Sequence, residues 1–578
     1  MISVRLYRAV LPFVLLASQA WAQTEALHFE TALENGLQAQ KALKAVHQFL
    51  TQQAHPTASP ALMSANDQNH WTVAETAAQF YPTLVLSAYL TDRNRFDSSL
   101  KNTLRDERQY TGRLHSLPDD FDLKTQTFLF PQLELPRILA GASAYAARGL
   151  IPITQVVGPD LWQDRLQELA DDLLLSVRSQ QSDAIPPSEY AEINGQFLTL
   201  LVWLTLWTGN EHYLEYARSI GDVYCLNILP RNGGLPAQRW NFATDKARVS
   251  RLVLDQTGVS ILEGLILLYT VETLKASDRA LIYRPTLARM FDVLYSHGVD
   301  PSGFFYRAIE PDGRGGYTTD RKNRSPHWAK LAHLSALFGK LTGNSSYSAP
   351  VRSLLKSLPS QLIASRTRRN GKIPIRMAEL QNLVHFSFDL LTDPTQKTDL
   401  LIALDRLVPV PKNRAEPPPL ERIQEWLSYA WHKTGGLRLH PWHPDLQFGV
   451  SLQADTLFVA LQSKISWQGE ILFDRIALPA DHLPDLQPFY GGFPKAFPIV
   501  SDDFYTLQVI GAGSTSTWQG TLLQSGLNVK LTPETTYRIK IFKNKKIGLA
   551  VQPPVPGQEE TLIQMENPND PQGTPDAR

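Results

Sequence analysis

A weak internal repeat does most to limit what this chain can become. An apolar helical run ends in a short polar turn, and an amphipathic helix then returns. The turns are Thr91-Asp92-Arg93-Asn94 before Phe96, Thr208-Gly209-Asn210 before Tyr213, and Thr342-Gly343-Asn344 before Tyr347. Less regular ones lie near Gly149 to Pro159, Lys275 to Asp278 and Thr392 to Pro394. They recur every ~50 to 70 residues, about two helices plus connections, and so predict six αα-hairpins. Tyr190 to Trp207 and Asp255 to Thr270 are apolar almost all round, as in helices buried on every side, whereas Asp160 to Arg178 and Glu211 to Asn227 carry a polar stripe. First helices are therefore inner and second helices outer. An open superhelix satisfies the same repeat, but a fully buried first layer suits a closed ring better.

The flanking segments have other characters. Residues 1–22 read as a signal peptide: Arg5 and Arg8 precede an apolar stretch from Val10 to Ala17, and Ala20-Trp21-Ala22 offers a cleavage site before Gln23. An apolar core this short cannot span a bilayer, which argues against an anchor. The ring is expected over 23–407. A proline-rich linker follows over 408–420, where Pro409, Pro411, Pro417, Pro418 and Pro419 cannot continue a helix. A helix from Glu421 to His432 is expected to pack back on the ring. From Leu437 the pattern changes to short β-rich runs: Leu446 to Leu452, Thr456 to Gln462, Glu470 to Phe473, Tyr505 to Ile510, Gly526 to Leu531 and Thr536 to Phe542. Residues 421–552 thus form a bridging helix plus a β-sandwich-like domain. The stretch 553–578, rich in Pro, Glu, Asp and Gln, reads as a disordered tail.

Composition excludes several partners. Lys plus Arg and Asp plus Glu both total 56, so bulk charge draws the chain neither to nucleic acid nor to an anionic membrane. The single cysteine, Cys225, rules out an internal disulfide and a multi-thiolate zinc site. An exported chain without disulfides fits the periplasm, with secretion as the alternative. No phosphate-binding glycine loop, His-Glu-x-x-His helix or Gly-x-Ser-x-Gly elbow is present, and neither a cofactor nor a metal is expected.

The Thr-Gly-Asn turns, the phrase Asn232-Gly233-Gly234-Leu235-Pro236, and Leu254-Asp255-Gln256-Thr257-Gly258 opening the run Ile261 to Tyr269 resemble the six-hairpin glycosidase superfamily. The resemblance covers about Trp71 to Thr434. It implies an (α/α)6 toroid and carbohydrate chemistry without fixing the reaction, since the superfamily holds hydrolases, lyases and epimerases. It also implies a β-sandwich supporting one rim. The chain departs from an active member in showing no diagnostic pair of acidic motifs.

Connectivity locates the site. If the short turns share one end of the ring, the long connections share the other: Tyr110 to Phe130, Ser179 to Glu189, Pro230 to Leu254, Val299 to Arg324 and Arg366 to Ile375. At that rim Trp71, Trp240, Tyr306 and Trp328 are candidate faces for sugar stacking. Asp119, Asp120, Asp122, Glu189, Glu192, Asp255 and Asp320 are the rim carboxylates. Hydrolysis needs two carboxyl groups across the glycosidic bond, and Glu192 with Asp255 is the first choice, although an acidic residue at a helix start is more often a cap. Asp120, Asn194, Asp320 and His327 complete the candidate binding set. Glu263 reads as a buried carboxylate paired with Lys or Arg unless the channel is wet. Asn194, Gln196, Gln256, His327 and His333 have a satisfied core network as their default. The leading expectation is a glycoside hydrolase. A polysaccharide lyase using His327, Tyr306, Asn194 and Arg321 and a non-catalytic glycan-binding protein are the alternatives.

Overall fold

The computed structural model describes residues 3–53, 62–65, 69–178, 186–367, 373–408, 418–473, 497, 499–511 and 514–544, with side chains placed from residue 24 and, in the helix that ends at Thr367, as far as Ala364. Most of the expected linker and all of the expected tail lie outside these residues.

Six hairpins follow one another. Their first helices run over 73–91, 135–157, Ala191–Thr208, Gln256–Leu274, Trp328–Thr342 and Met377–Ser387; their returns end at Thr111, Arg178, Arg231, His297, Thr367 and Leu407. Five of the expected turns lie where the sequence puts them, and the one expected over Gly149 to Pro159 falls at its far end, since helix continues to Val157 before Gly158. Gly209 and Gly343 terminate their helices at φ 69° and 67°, the left-handed conformation that glycine adopts without a Cβ penalty. Asp92, Asn210, Ser277 and Asp393 then accept backbone N–H groups at the starts of the return helices. The inner layer is buried almost throughout. Gln256–Leu274 is the one described helix long and apolar enough to cross a membrane, but 78% of its apolar window is buried inside the ring.

The helix Leu420–Thr434 occupies an inner position as well. Gln424 donates to Thr83 on the first inner helix at 3.0 Å, and Ser428 donates to Gln381 on the sixth at 2.7 Å. It therefore closes the toroid rather than lying against it. Outside it runs the N-terminal helix Ser3–Gln52, which belongs to the ring by sequence position but touches both domains. Lys433 reaches Asn35 at 2.9 Å, while Asn35 donates to the Val450 carbonyl at 2.8 Å and Lys540 pairs with Glu25 at 2.8 Å.

The C-terminal domain holds two antiparallel sheets. One has the spatial order Leu446–Gln453, Thr456–Ser463, Thr536–Lys543, Phe504–Ile510, Ser514–Gln519, with Val450 opposite Val459, Val459 opposite Ile539 and Ile539 opposite Val509. The other pairs Arg438–His440, Trp467–Leu472 and Leu527–Leu531. Alternating burial in Phe504–Ile510 and Leu527–Leu531 is the mark of strands with one face on a core. Thr456–Ser463 is buried on both faces because the N-terminal helix covers the outer one.

Candidate functional site

The long connections are short antiparallel pieces that fix the rim. His70–Trp71, Phe121–Asp122 and Thr127–Phe128 form one small sheet. Arg239–Asn241 pairs with Lys246–Val249, and Leu252–Val253, Ala308–Pro311 and Tyr317–Thr319 form another sheet. An isolated bridge joins Tyr306 to Arg324. This stitching borders an open rim cavity of about 850 Å3, lined by Asp255, Asp300, Pro301, Ser302, Tyr306, Arg307, Arg321, Lys322, Asn323, Arg324, Pro326 and Pro374.

Below the rim, charged side chains from successive inner helices face one another. Arg148 and Glu192 interact, Glu192 feels Asp255, and Arg376 at the start of the sixth inner helix acts on Arg148, Lys330 and Glu425. Arg148 and Arg376 stand on non-adjacent inner helices and still act on each other electrostatically, as side chains facing the ring interior would. Lys330 binds Glu263 at 2.5 Å, and although protein surrounds it, its side chain is still 28% exposed. The ion pair expected of Glu263 is present, with both side chains partly exposed.

The electrostatics differ from group to group. Desolvation pushes the Glu192 carboxyl up; Arg148 opposes this, Asp255 adds to it, and the net position lies above the usual glutamate value. Glu425 is also raised, by desolvation against the pull of Arg422 and Arg376. Desolvation pulls the Lys330 ammonium down, but Glu263 and Glu379 more than offset it. Arg148 sits on the π-helical segment Tyr145–Leu150, and its buried Nε has no hydrogen-bond partner among the described residues. A wide helical turn carrying an under-satisfied cation marks a strained, and so site-like, place.

The aromatic candidates fare differently. Trp71, Trp240 and Trp328 are only 2%, 3% and 1% exposed, and none lines the rim cavity. Trp328 donates to the Pro374 carbonyl at 2.6 Å and Trp240 faces Asp245 at 3.3 Å. Their rings hold rim loops to the core, which leaves no free face for a sugar. Of the four, only Tyr306 lines the cavity.

Among the polar candidates, Asn194 is fully buried, bonded to both backbone groups of Ser188 and to the Tyr224 hydroxyl. That satisfies its amide and removes it from any ligand. His327 is buried against Glu379 at 2.7 Å, and His333 is buried with its pKa lowered to about 3 by desolvation, Lys330 and His385. Asp120 accepts the Val73 N–H at 2.8 Å and so caps the first inner helix, with desolvation raising its pKa. Asp119 is enclosed by Arg113 and Arg137, Asp122 ties its own turn, and Glu189 pairs with Arg239 and Arg248. Asp320 binds the Asn323 amide, which lowers its pKa, and it turns away from the cavity that its neighbour Arg321 lines. Gln196 reaches Glu192 at 3.2 Å and Gln256 reaches Ser260 at 3.2 Å.

Asp255 does two things. Its Oδ1 caps its own helix through the Thr257 N–H at 2.9 Å and hydroxyl at 2.6 Å, while its Oδ2 faces Arg307 at 3.9 Å in the rim cavity. The structure thus brings together Asp255, Tyr306 and Arg321 at the cavity, leaves Glu192 off its lining but within electrostatic reach of Asp255, and separates the remaining candidates. Among the described residues no group of three or more His, Cys, Asp or Glu is placed to hold a metal.

No family model matches this chain, and neither does any curated protein. Solved structures overlap it over about half its length. They include the α-1,6-mannanase of Salegentibacter sp. HEL1_6, at 11% identity over 49% of this chain and 85% of that one with a TM-score of 0.34. The unsaturated glucuronyl hydrolase of Bacillus sp. GL1 matches at 11% over 51% and 85% with a TM-score of 0.35, and a D-mannose isomerase at 14% over 55% and 83% with a TM-score of 0.39. Likeness this distant carries no argument about chemistry. The toroid rests on this chain's own helix order and burial, which bear out the ring expected from the repeat.

Proposed function

We propose that the protein is an exported carbohydrate-active enzyme of the glycoside hydrolase type, cleaving an oligo- or polysaccharide where the rim cavity meets the axial channel. The observation that carries this reading is Glu192, a desolvated carboxyl with a raised pKa, electrostatically coupled to Asp255, whose Oδ2 faces Arg307 at the cavity. A carboxyl whose pKa is raised holds its proton to higher pH than an ordinary glutamate and can donate it to a leaving glycosidic oxygen, while a second carboxylate activates water or attacks the sugar carbon. In this reading Glu192 is the acid and Asp255 its partner. Arg148 would hold Glu192 in place and stabilise the carboxylate left after proton transfer.

Two carboxyl groups in unlike surroundings support hydrolysis. Elimination keeps one supporting observation, the presence of Tyr306 and Arg321 in the same cavity, where a phenol and a cation could serve proton abstraction and charge neutralisation. The test is turnover on a polysaccharide panel, reading reducing ends for cleavage and ultraviolet absorbance for an unsaturated product. Hydrolysis predicts reducing ends without absorbance, and Glu192→Gln lowers turnover about a hundredfold or more, the usual contribution of a general acid. Unchanged turnover in Glu192→Gln removes Glu192 from the reaction, and binding without any turnover favours a glycan-binding role.

A further inference from the structure

The rim cavity is unevenly charged. Four cations, Arg307, Arg321, Lys322 and Arg324, face it against two carboxylates, Asp255 and Asp300. Both carboxylates are already engaged. Asp300 receives Arg324 through Nε at 2.8 Å and Nη2 at 2.7 Å, and Asp255 caps its helix and faces Arg307. Arg321 and Lys322 have no ion-pair partner among the described residues and are exposed on the cavity wall. The lining therefore offers two cations that no described carboxylate neutralises. Arg324, packed over the Phe304 ring at 4.6 Å and bridged through its backbone to Tyr306, makes the floor rigid. Asp255 joins this cavity to Glu192.

We propose that the rim cavity is a subsite for a carboxylate-bearing sugar, so that the substrate is an acidic glycan of the uronate type with its charged residue next to the bond held at Glu192 and Asp255. This rests on the proposed function for the location of the reaction but not for the binding itself. A planar carboxylate matches the two parallel N–H groups of a guanidinium, and Arg321 supplies such a fork with no ion-pair partner among the described residues. Lys322 adds a point charge, and Tyr306 offers a ring and a hydroxyl to the same sugar.

The test uses the full chain and isothermal titration with three probes: a tetragalacturonate, the same tetrasaccharide fully methyl-esterified, and a sulfated neutral tetrasaccharide. The free acid binds at least about tenfold tighter than its ester and tighter than the sulfate, and added salt weakens it. Arg321→Gln with Lys322→Gln reduces binding of the acid to the level of the ester at unchanged melting temperature, and Arg321→Lys with Lys322→Arg restores part of it. Equal affinity for acid and ester, no binding of either, or no loss in the glutamine double variant would overturn the subsite. Preference for the sulfate overturns the carboxylate assignment. Failure of the Glu192 reading is separate, because it is read from turnover in Glu192→Gln and not from the affinity of the acid over its ester.

Discussion

Arg165 and Glu107 form a nearly inaccessible ion pair between the first two outer helices, with side chains 2% and 3% exposed. Both carboxylate oxygens are used, at 2.9 and 2.7 Å, and the guanidinium also reaches Glu168 and the Ser116 carbonyl. Removing one partner leaves the other charged and unsatisfied, so Arg165→Met should cost about 3 to 5 kcal/mol in denaturant unfolding. A loss below about 1 kcal/mol would show that Glu107 finds another partner. Acid lability belongs to the same scale. His333 and His432, facing His385 between them and Lys330 and Lys433 at either side, are held neutral with pKa values lowered to about 3 by desolvation and those neighbours. Below about pH 6.5 the unfolded chain takes up protons that the folded chain refuses. Stability is therefore full above that pH and falls as pH drops towards 3, and His333→Gln with His432→Gln should flatten the melting-temperature profile in that window. Single residues also mark the limit of sequence reading. Glu192 and Asp255 were legible because helix starts near long loops can be counted. Arg148, Lys330, Glu379 and Glu425 were not, since a lone charge on a long helix has the same pattern whether it meets solvent or an axial channel. The tryptophans misled for a related reason: a position at the rim does not say whether the ring turns outward or into the core.

At the scale of elements, the tightest packing is between the third and fourth inner helices. A Cβ on Gly195 would overlap the Ser260 and Ile261 backbone, and one on Gly264 would lie 2.8 Å from the Gly195 carbonyl oxygen. Two glycines thus let the helices approach closely, one turn after Glu192 on the third inner helix. Gly195→Ala should cost about 1 to 3 kcal/mol through overpacking and, under the proposed reaction, should lower turnover as well, because it would shift Glu192 relative to Asp255. Loss of stability with full activity would separate this packing from the chemistry. The hairpins were readable from their turns, because a polar Thr-Gly-Asn or Asp cap between two apolar runs has one structural meaning. Strand Ser514–Gln519 escaped notice since its Ser and Thr residues lie exposed on an edge and show no alternation. The ring-closing role of Leu420–Thr434 escaped it too, since one amphipathic helix looks alike in a seam and on a surface.

For the whole molecule, the N-terminal helix is the joint. Gly36 and Gly449 allow its backbone to meet the strand Leu446–Gln453, and His28 stacks on Phe458 with ring centroids 4.9 Å apart. The same helix sends the Leu50 carbonyl to the buried Arg95 of the first hairpin. Ring and sheets share this element, so calorimetry should record one cooperative transition for the full chain, and two resolved transitions would mean that the domains unfold independently. The arrangement also sets an order of events. Asn35 and Lys433 are 398 positions apart in sequence, so a chain that emerges from its first residues onwards can cover the end of this helix with the first hairpin, but its middle stays uncovered until the last ring helix and first long strand follow. The toroid cannot be sealed hairpin by hairpin. Its earliest helix must be kept from aggregating while nearly the whole ring is made, so any factor that escorts this chain should recognise residues 24–52 and be displaced by 420–453.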